Sequence, residues 1–145
     1  MKIRRAHAAD KAEHGRMRAA LWPDEDPVEL TNELDAFLES PADVAFVAER
    51  DDGRLCGFAE ASVRRYANGV DESPCAFLEG WWVDDDARRS GVGRALLTAV
   101  EDWARARGFT ELGSDALLDN TLSHEVHRAL GFDERERVVY FSKRL

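Results

Sequence analysis

The sequence predicts an α/β protein (of α+β type) in which helices cover both faces of a mixed central β-sheet. Short apolar runs alternate along the chain with segments whose apolar residues recur at helical spacing. A hairpin signal lies in the first half of the chain, and a glycine-bearing turn joins a strand to a helix in the second half. The predicted order is β-α-α-β-β-β-α-β-α-β, which a mixed sheet with helices on both sides accommodates.

The first half of the chain is predicted to hold two helices and three strands. Asp10 and Glu13 fit a capping box, and the first helix runs from there to Leu21. Asp26 is a second cap, and Pro27 suits the first helical position after it. The strands predicted here span residues 2–6, 44–49 and 55–65, the last two joined by a turn at residues 51–53.

The second half begins with a polar loop, residues 66–74. The predicted strands are residues 76–83, 111–116 and 134–142, and the predicted helices are residues 92–107 and 121–130. Gly108 and Gly131 stand where helices commonly end. With 145 residues, we expect a single domain, residues 1–145.

The turn at residues 88–94, RRSGVGR, is predicted to cradle an anion. It precedes a helix, whose first N–H groups lack partners within the helix and whose dipole favours negative charge. Gly91 and Gly93 carry no Cβ, so a phosphate can approach the main chain, and three arginines add charge. The alternative is a solvated basic turn. The spacing is neither that of a P-loop nor that of the dinucleotide fingerprint.

Composition excludes several classes of function. A net charge of −9 argues against nucleic-acid binding and is compatible with a cationic small substrate. No apolar run reaches membrane-spanning length, and no signal peptide is recognised, so we expect a cytoplasmic protein without membrane partners. Cys56 and Cys75 are expected to be buried thiols, and the histidines lack zinc-ligand spacing, so we expect no metal.

The pattern Arg88-x-x-Gly91-x-Gly93 resembles the acetyl-CoA pyrophosphate motif of the GCN5-related N-acetyltransferases (GNAT). Further stretches, in order and spacing, resemble the chromosomal Gram-negative aminoglycoside 6′-N-acetyltransferases over nearly the whole chain. They are residues 22–23, 66–74, 77–80, 114–115, 120–121, 126–132 and 134–138. The resemblance implies the GNAT fold, a homodimer, and acetyl transfer from acetyl-CoA to the 6′-amine of an aminoglycoside, which confers resistance.

The resemblance also implies the coenzyme site. The backbone of the strand before the turn would pair with the pantetheine arm through Trp81, Trp82 and Val83. A backbone N–H there would support the oxyanion of the thioester. The pyrophosphate would be held by Arg89, Ser90, Gly91, Val92, Gly93 and Arg94, and Asn120 would contact the coenzyme.

The substrate residues implied by the resemblance are Trp22, Tyr66, Glu79, Asp115 and Glu136. Carboxylates bind ammonium groups through charge-assisted hydrogen bonds, and aromatic faces pack on sugar rings or cations. Each residue has an alternative role: Glu79 as a paired structural charge, Asp115 as a turn or cap residue, and Glu136 on a solvated face. Trp22 and Tyr66 can also be loop anchors.

The reaction expected is direct attack of the amine on the thioester in a ternary complex. Glu79 and then Asp115 are the candidate catalytic residues, accepting the amine proton directly or through water. Alignment of the reactants can supply much of the rate. His127 stands where many GNAT members carry a tyrosine, and the resistance-type subfamily commonly has histidine there. Two other functions stay open: acetylation of another small amine, polyamine or protein amine, and a non-catalytic acetyl-CoA-binding module.

Overall fold

The computed structural model describes residues 1–145, which form two compact units, Met1–Ser114 and Asp115–Leu145. The first unit holds a five-stranded sheet of order β1-β2-β3-β4-β5. Among the first four strands each neighbouring pair is antiparallel, and β5 pairs in parallel with β4. The strands are β1 Lys2–Arg5, β2 Asp43–Glu49, β3 Leu55–Arg64, β4 Cys75–Val83 and β5 Leu112–Gly113.

Three α-helices belong to the first unit and one to the second. They are α1 Lys11–Leu21, α2 Pro27–Glu39, α3 Val92–Ala106 and α4 Thr121–Ala129. Short 3₁₀ turns precede α1 and α3, at Ala8–Asp10 and Asp85–Ala87. None of the helices is long and apolar enough to span a membrane.

The three α-helices of the first unit lie on both faces of its sheet, as the sequence predicts. Neighbouring residues on a strand point to opposite faces, and β3 shows what each face meets. Phe58 packs with Met17 of α1 in one core cluster. The adjacent Gly57 faces Leu96 of α3, whose side chain lies 3.1 Å from where a Cβ would stand. Both Phe58 and Leu96 are fully buried, so the sheet has a core on each side.

Two predicted helix starts have different outcomes. Asp26 caps α2, since its Oδ1 accepts hydrogen bonds from the amides of Val28 and Glu29 over 2.8 and 3.1 Å. The capping box at Asp10 and Glu13 is wrong, because the Asp10 side chain makes no cap bond to α1. Its carboxylate instead accepts two hydrogen bonds from Arg4 and one from the amide of His7.

The last predicted strand, residues 134–142, is not formed. Residues 132–145 adopt no helix or strand, and no residue of the second unit is buried. Alternating polarity can give a segment one apolar face, but a strand also needs a neighbouring strand with which to form hydrogen bonds. The strand predicted at residues 111–116 is reduced to the two residues of β5.

Candidate active site

The turn before α3 has a left-handed backbone at two positions. Arg89 has φ 60°, and Gly91, the residue just before the helix, has φ 88° and ψ 0°. This conformation turns the chain so that the first N–H groups of α3, beginning at Val92, lie at the mouth of the turn. A Cβ on Gly91 would meet no atom within 4 Å, so the space in front of the turn is open. The geometry is that of an anion site at a helix N-terminus.

The arginines of this turn divide into two groups. Arg88 is held by the protein: its Nε donates to the carbonyl of Val83 over 2.9 Å, it pairs with Asp85, and its guanidinium lies over the ring of Trp82. Arg89 and Arg94 are exposed and form no ion pair within the protein. The positive charge available to a ligand therefore comes from Arg89 and Arg94.

On one side, β4 has a strand partner over only two residues, and we call this side the splayed edge. β4 pairs with β5 only at Ala76 and Phe77, so the rest of its edge on that side has no strand partner. The amide of Asp84 donates to Cys56 at the β3 side, and strand peptides alternate in direction. The main chain of Trp81 and of Val83 therefore faces the splayed edge.

Trp82 and Trp81 serve the turn through their side chains. The carbonyl of Trp82 faces β3, 2.9 Å from the Cβ position of Gly57, so its peptide is turned away from the splayed edge. Its indole N–H donates to Asp84 over 2.9 Å. The indole N–H of Trp81 donates to the carbonyl of Gly93 over 3.2 Å, which ties the strand to the first turn of α3.

An acidic cleft of about 290 Å³ lies over α1, α2 and the sheet. Its lining includes five carboxylates and one arginine. The residues are Arg18, Trp22, Glu25, Leu30, Glu33, Phe37, Asp43, Glu60, Ser62 and Glu79. Two predicted substrate residues, Trp22 and Glu79, thus share the cleft. Tyr66 is 73% exposed and is not among the residues that line it.

Glu79 is held in place by Arg64. Nε and Nη2 of Arg64 donate to Oε1 and Oε2 of Glu79 over 2.7 and 2.6 Å. The Arg64 guanidinium lies 3.7 Å from the ring centroid of Phe77. Glu79 is therefore a paired charge that also lines the cleft, and its substrate role stays a prediction.

The buried carboxylate of Glu60 was missed in the sequence. It is 1% exposed, and Arg18 donates to both of its oxygens over 2.7 and 2.8 Å. Nε2 of His14 donates to Oε1 over 2.7 Å, while Nδ1 of His14 has no partner. Burial opposes ionisation of Glu60, but the hydrogen bonds from His14 and Arg18 outweigh it and leave the pKa of this carboxyl below its ordinary value. An acid inside an apolar strand was the available signal, as it was for Glu79.

Arg18 contacts several of the residues that line the cleft. It also donates to the carbonyl of Leu30 over 2.9 Å, which joins α1 to α2. Its guanidinium lies 5.6 Å from the ring centroid of Trp22. A Cβ on Gly80 would lie 2.9 Å from the Trp22 ring, so the glycine lets the indole approach β4 closely. Trp22 is therefore fixed from both sides.

The second unit carries the remaining predicted site residues. Asp115 and Glu136 are exposed and lie outside regular secondary structure. Asn120 caps α4, since its Oδ1 accepts from the amide of Ser123 over 3.2 Å. His127 Nδ1 is 2.7 Å from the carbonyl of Ser123, and its ring lies edge-on to Phe132.

A splayed strand that leads into an anion-binding turn and α3, beside an acidic cleft, is the arrangement of an acyl-coenzyme A-dependent transferase of amines. Residues 13–132 match the model of the acetyltransferase (GNAT) family, and the chain belongs to that family.

Relatives and solved structures agree with this assignment. The chain is 48% identical over 141 residues to the aminoglycoside N(6′)-acetyltransferase type 1 of Stenotrophomonas maltophilia, covering 96% of this chain and 90% of that protein. The crystal structure of aminoglycoside 6′-N-acetyltransferase AAC(6′)-Ig from Acinetobacter haemolyticus superposes with a TM-score of 0.93 at 39% identity, over 100% of this chain and 99% of that one. AAC(6′)-Iy bound to the bisubstrate analogue CoA-S-monomethyl-acetylneamine superposes with a TM-score of 0.92 at 37% identity, over 99% and 98% of the two chains.

Proposed function

We propose that this protein is an aminoglycoside 6′-N-acetyltransferase that moves the acetyl group of acetyl-CoA to the 6′-amine of an aminoglycoside and so confers resistance. The observation that carries the proposal is the acidic cleft on the sheet that also bears the splayed β4 edge and the anion-binding turn. Curated relatives with this activity match most of the chain. Aminoglycosides are polyamine sugars, and a cleft with five carboxylates attracts polycations.

The coenzyme would lie along β4 and the turn. Main-chain groups of Trp81 and the N–H of Val83 would pair with the pantetheine arm, because they face the side of β4 that β5 does not cover; the Val83 carbonyl already accepts a hydrogen bond from Arg88. The pyrophosphate would bind the main chain of residues 89–94, with Arg89 and Arg94 supplying charge. The side chain of Trp82 supports the turn through Asp84 and Arg88. Asn120 keeps its proposed coenzyme contact as a prediction.

The chemistry is a direct transfer. The neutral 6′-amine attacks the thioester carbonyl carbon, a C–N bond forms, the C–S bond breaks, and the coenzyme leaves as a thiolate. The amine proton passes to a carboxylate or to a water held by it, with Glu79 and Asp115 as the proposed acceptors. Trp22, Tyr66 and Glu136 are proposed to bind the sugar rings and their ammonium groups.

The proposal is tested by coenzyme A release with kanamycin and tobramycin, compared with spermidine and peptide amines. We expect turnover with the aminoglycosides at a far higher kcat/KM than with the other amines. A higher kcat/KM for spermidine or a peptide would show that the substrate is another class of amine. Coenzyme binding without turnover of any amine would indicate a non-catalytic binding module. Expression in a susceptible strain tests resistance, with the Glu79→Gln variant as the matched control.

We also propose a cytoplasmic homodimer made of single acetyltransferase domains, residues 1–145. The family match runs from residue 13 to residue 132 and so includes residues of both units. Tyr140 and Phe141 are 78% and 92% exposed, an apolar surface of a kind that often binds another protein. Light scattering after size-exclusion chromatography measures the mass of the protein in solution. A Phe141→Asp variant that stays dimeric would show that the interface lies elsewhere. A monomeric wild type would overturn the homodimer proposal.

A further inference from the structure

Glu79 occupies an irregular position in β4. In the pairing of β3 with β4, Glu60 lies opposite Gly80 and Ala61 lies opposite Leu78. Glu79 has no partner residue on β3 and is the extra residue of a β-bulge. Bulges re-aim side chains, because the ladder no longer fixes their direction. The direction of the Glu79 carboxylate must therefore be set by other contacts.

Arg64 supplies those contacts. Its planar guanidinium grips both oxygens of Glu79 over 2.7 and 2.6 Å, a fork that fixes the angle of a carboxylate as well as its distance. The guanidinium is itself held 3.7 Å from the ring centroid of Phe77. A carboxylate has about four lone-pair sites, so two remain for a substrate ammonium.

We propose that Arg64 is a positioning residue that aims Glu79 at the reacting amine. This inference rests on the proposed function, because it assigns Glu79 to the amine. Arg64 acts through Glu79, because its guanidinium binds both oxygens of that carboxylate. A positive charge at residue 64 is not sufficient to fix the direction of the Glu79 carboxylate, because a lysine there would keep the charge but lacks the planar fork of arginine.

A double-mutant cycle tests this with tobramycin and acetyl-CoA. The four proteins are wild type, Arg64→Gln, Glu79→Gln and the double variant, and a thermal melt of each checks folding. We expect Arg64→Gln to lower kcat/KM for tobramycin by about tenfold or more, and to change it less than about twofold when Glu79 is already Gln. The KM for acetyl-CoA stays unchanged. Arg105→Gln, which removes an exposed arginine far along α3 from the turn, is the matched control and keeps wild-type kinetics.

Each result separates a positioning role from a structural one. A purely structural Arg64 would give the same loss with and without Glu79, and that outcome overturns the inference while leaving the proposed function intact. If no aminoglycoside causes the wild-type protein to release coenzyme A, both the inference and the proposed function are overturned. If Arg64→Gln does not fold, Arg64→Lys completes the cycle; it keeps the charge and the stem, and we expect a loss of about threefold that again disappears in the Glu79→Gln background.

Discussion

The replacement Gly91→Ala tests the anion-binding turn most directly. Gly91 precedes α3 with φ 88° and ψ 0°, a conformation that an L-residue adopts with strain. The new methyl group would meet no protein atom within 4 Å, so no clash arises. It would instead add bulk to the turn whose main chain is proposed to bind the pyrophosphate.

The two effects have different sizes. Left-handed backbone costs an L-residue about 1–2 kcal/mol, partly offset by the lower entropy of the unfolded chain, so the net loss of stability is about 1 kcal/mol. This corresponds to about 2–4 °C in Tm for a protein of this size. A hydrogen bond to a charged group contributes about 1.5–3 kcal/mol, so losing one phosphate contact raises the Kd for acetyl-CoA about 10- to 150-fold.

Gly53→Ala is the matched control. Gly53 lies in the turn between β2 and β3 with φ 85°, and a Cβ there also meets no atom within 4 Å. Differential scanning fluorimetry should show similar losses of Tm for both variants, and isothermal titration calorimetry should show weaker acetyl-CoA binding for Gly91→Ala alone. Wild-type affinity in Gly91→Ala, or equal weakening in Gly53→Ala, would refute the assignment of the turn.

Three further predictions concern the groups around the turn and the cleft. Trp81→Phe removes the indole donor to Gly93 and should raise the Kd for acetyl-CoA about fivefold by calorimetry; an unchanged Kd would exclude this tether from coenzyme binding. Arg18→Met leaves buried Glu60 without its guanidinium and should lower the free energy of unfolding by about 3–5 kcal/mol in urea, whereas Arg105→Met, at an exposed pair, should change it by less than about 1 kcal/mol; equal losses would contradict the argument. The pKa of Glu60 is lower in the folded state than its ordinary value of 4.5, so its ionisation stabilises the fold above that pH, and the stabilisation is lost as pH falls through the lowered pKa. Between about pH 6 and pH 3, the free energy of unfolding measured in urea should therefore fall less for Glu60→Gln than for wild type. Equal falls in the two proteins would show that Glu60 does not contribute this pH dependence.

Local signals in the sequence predict much of the fold correctly. Asp26 caps α2 through amides two and three residues away, and Gly91 and Gly108 flank α3 with positive φ. Such features depend on interactions within one helical turn, so a short stretch of sequence contains all of their determinants. The two cysteines are buried and free, as expected, and burial raises the pKa of both thiols.

The errors came where a local pattern lacked its partner. Asp10 is a residue type that commonly caps helices, yet its carboxylate accepts hydrogen bonds from Arg4 of β1. Residues 134–142 alternate in polarity but form no strand. In both places the outcome depended on which group came within hydrogen-bonding distance, and spacing along the chain does not contain that information.

The candidate site shows the same division. The residue types and the glycine spacing of residues 88–94 predict an anion-binding helix N-terminus, with a solvated basic turn as the alternative, because such a site is built from consecutive peptide groups. The grip of Arg64 on Glu79 and that of Arg18 on Glu60 join residues 15 and 42 positions apart, respectively. Those pairs form because the pairing of β3 with β4 and the packing of α1 on the sheet bring the charges together, so the direction of each carboxylate is a property of the folded chain.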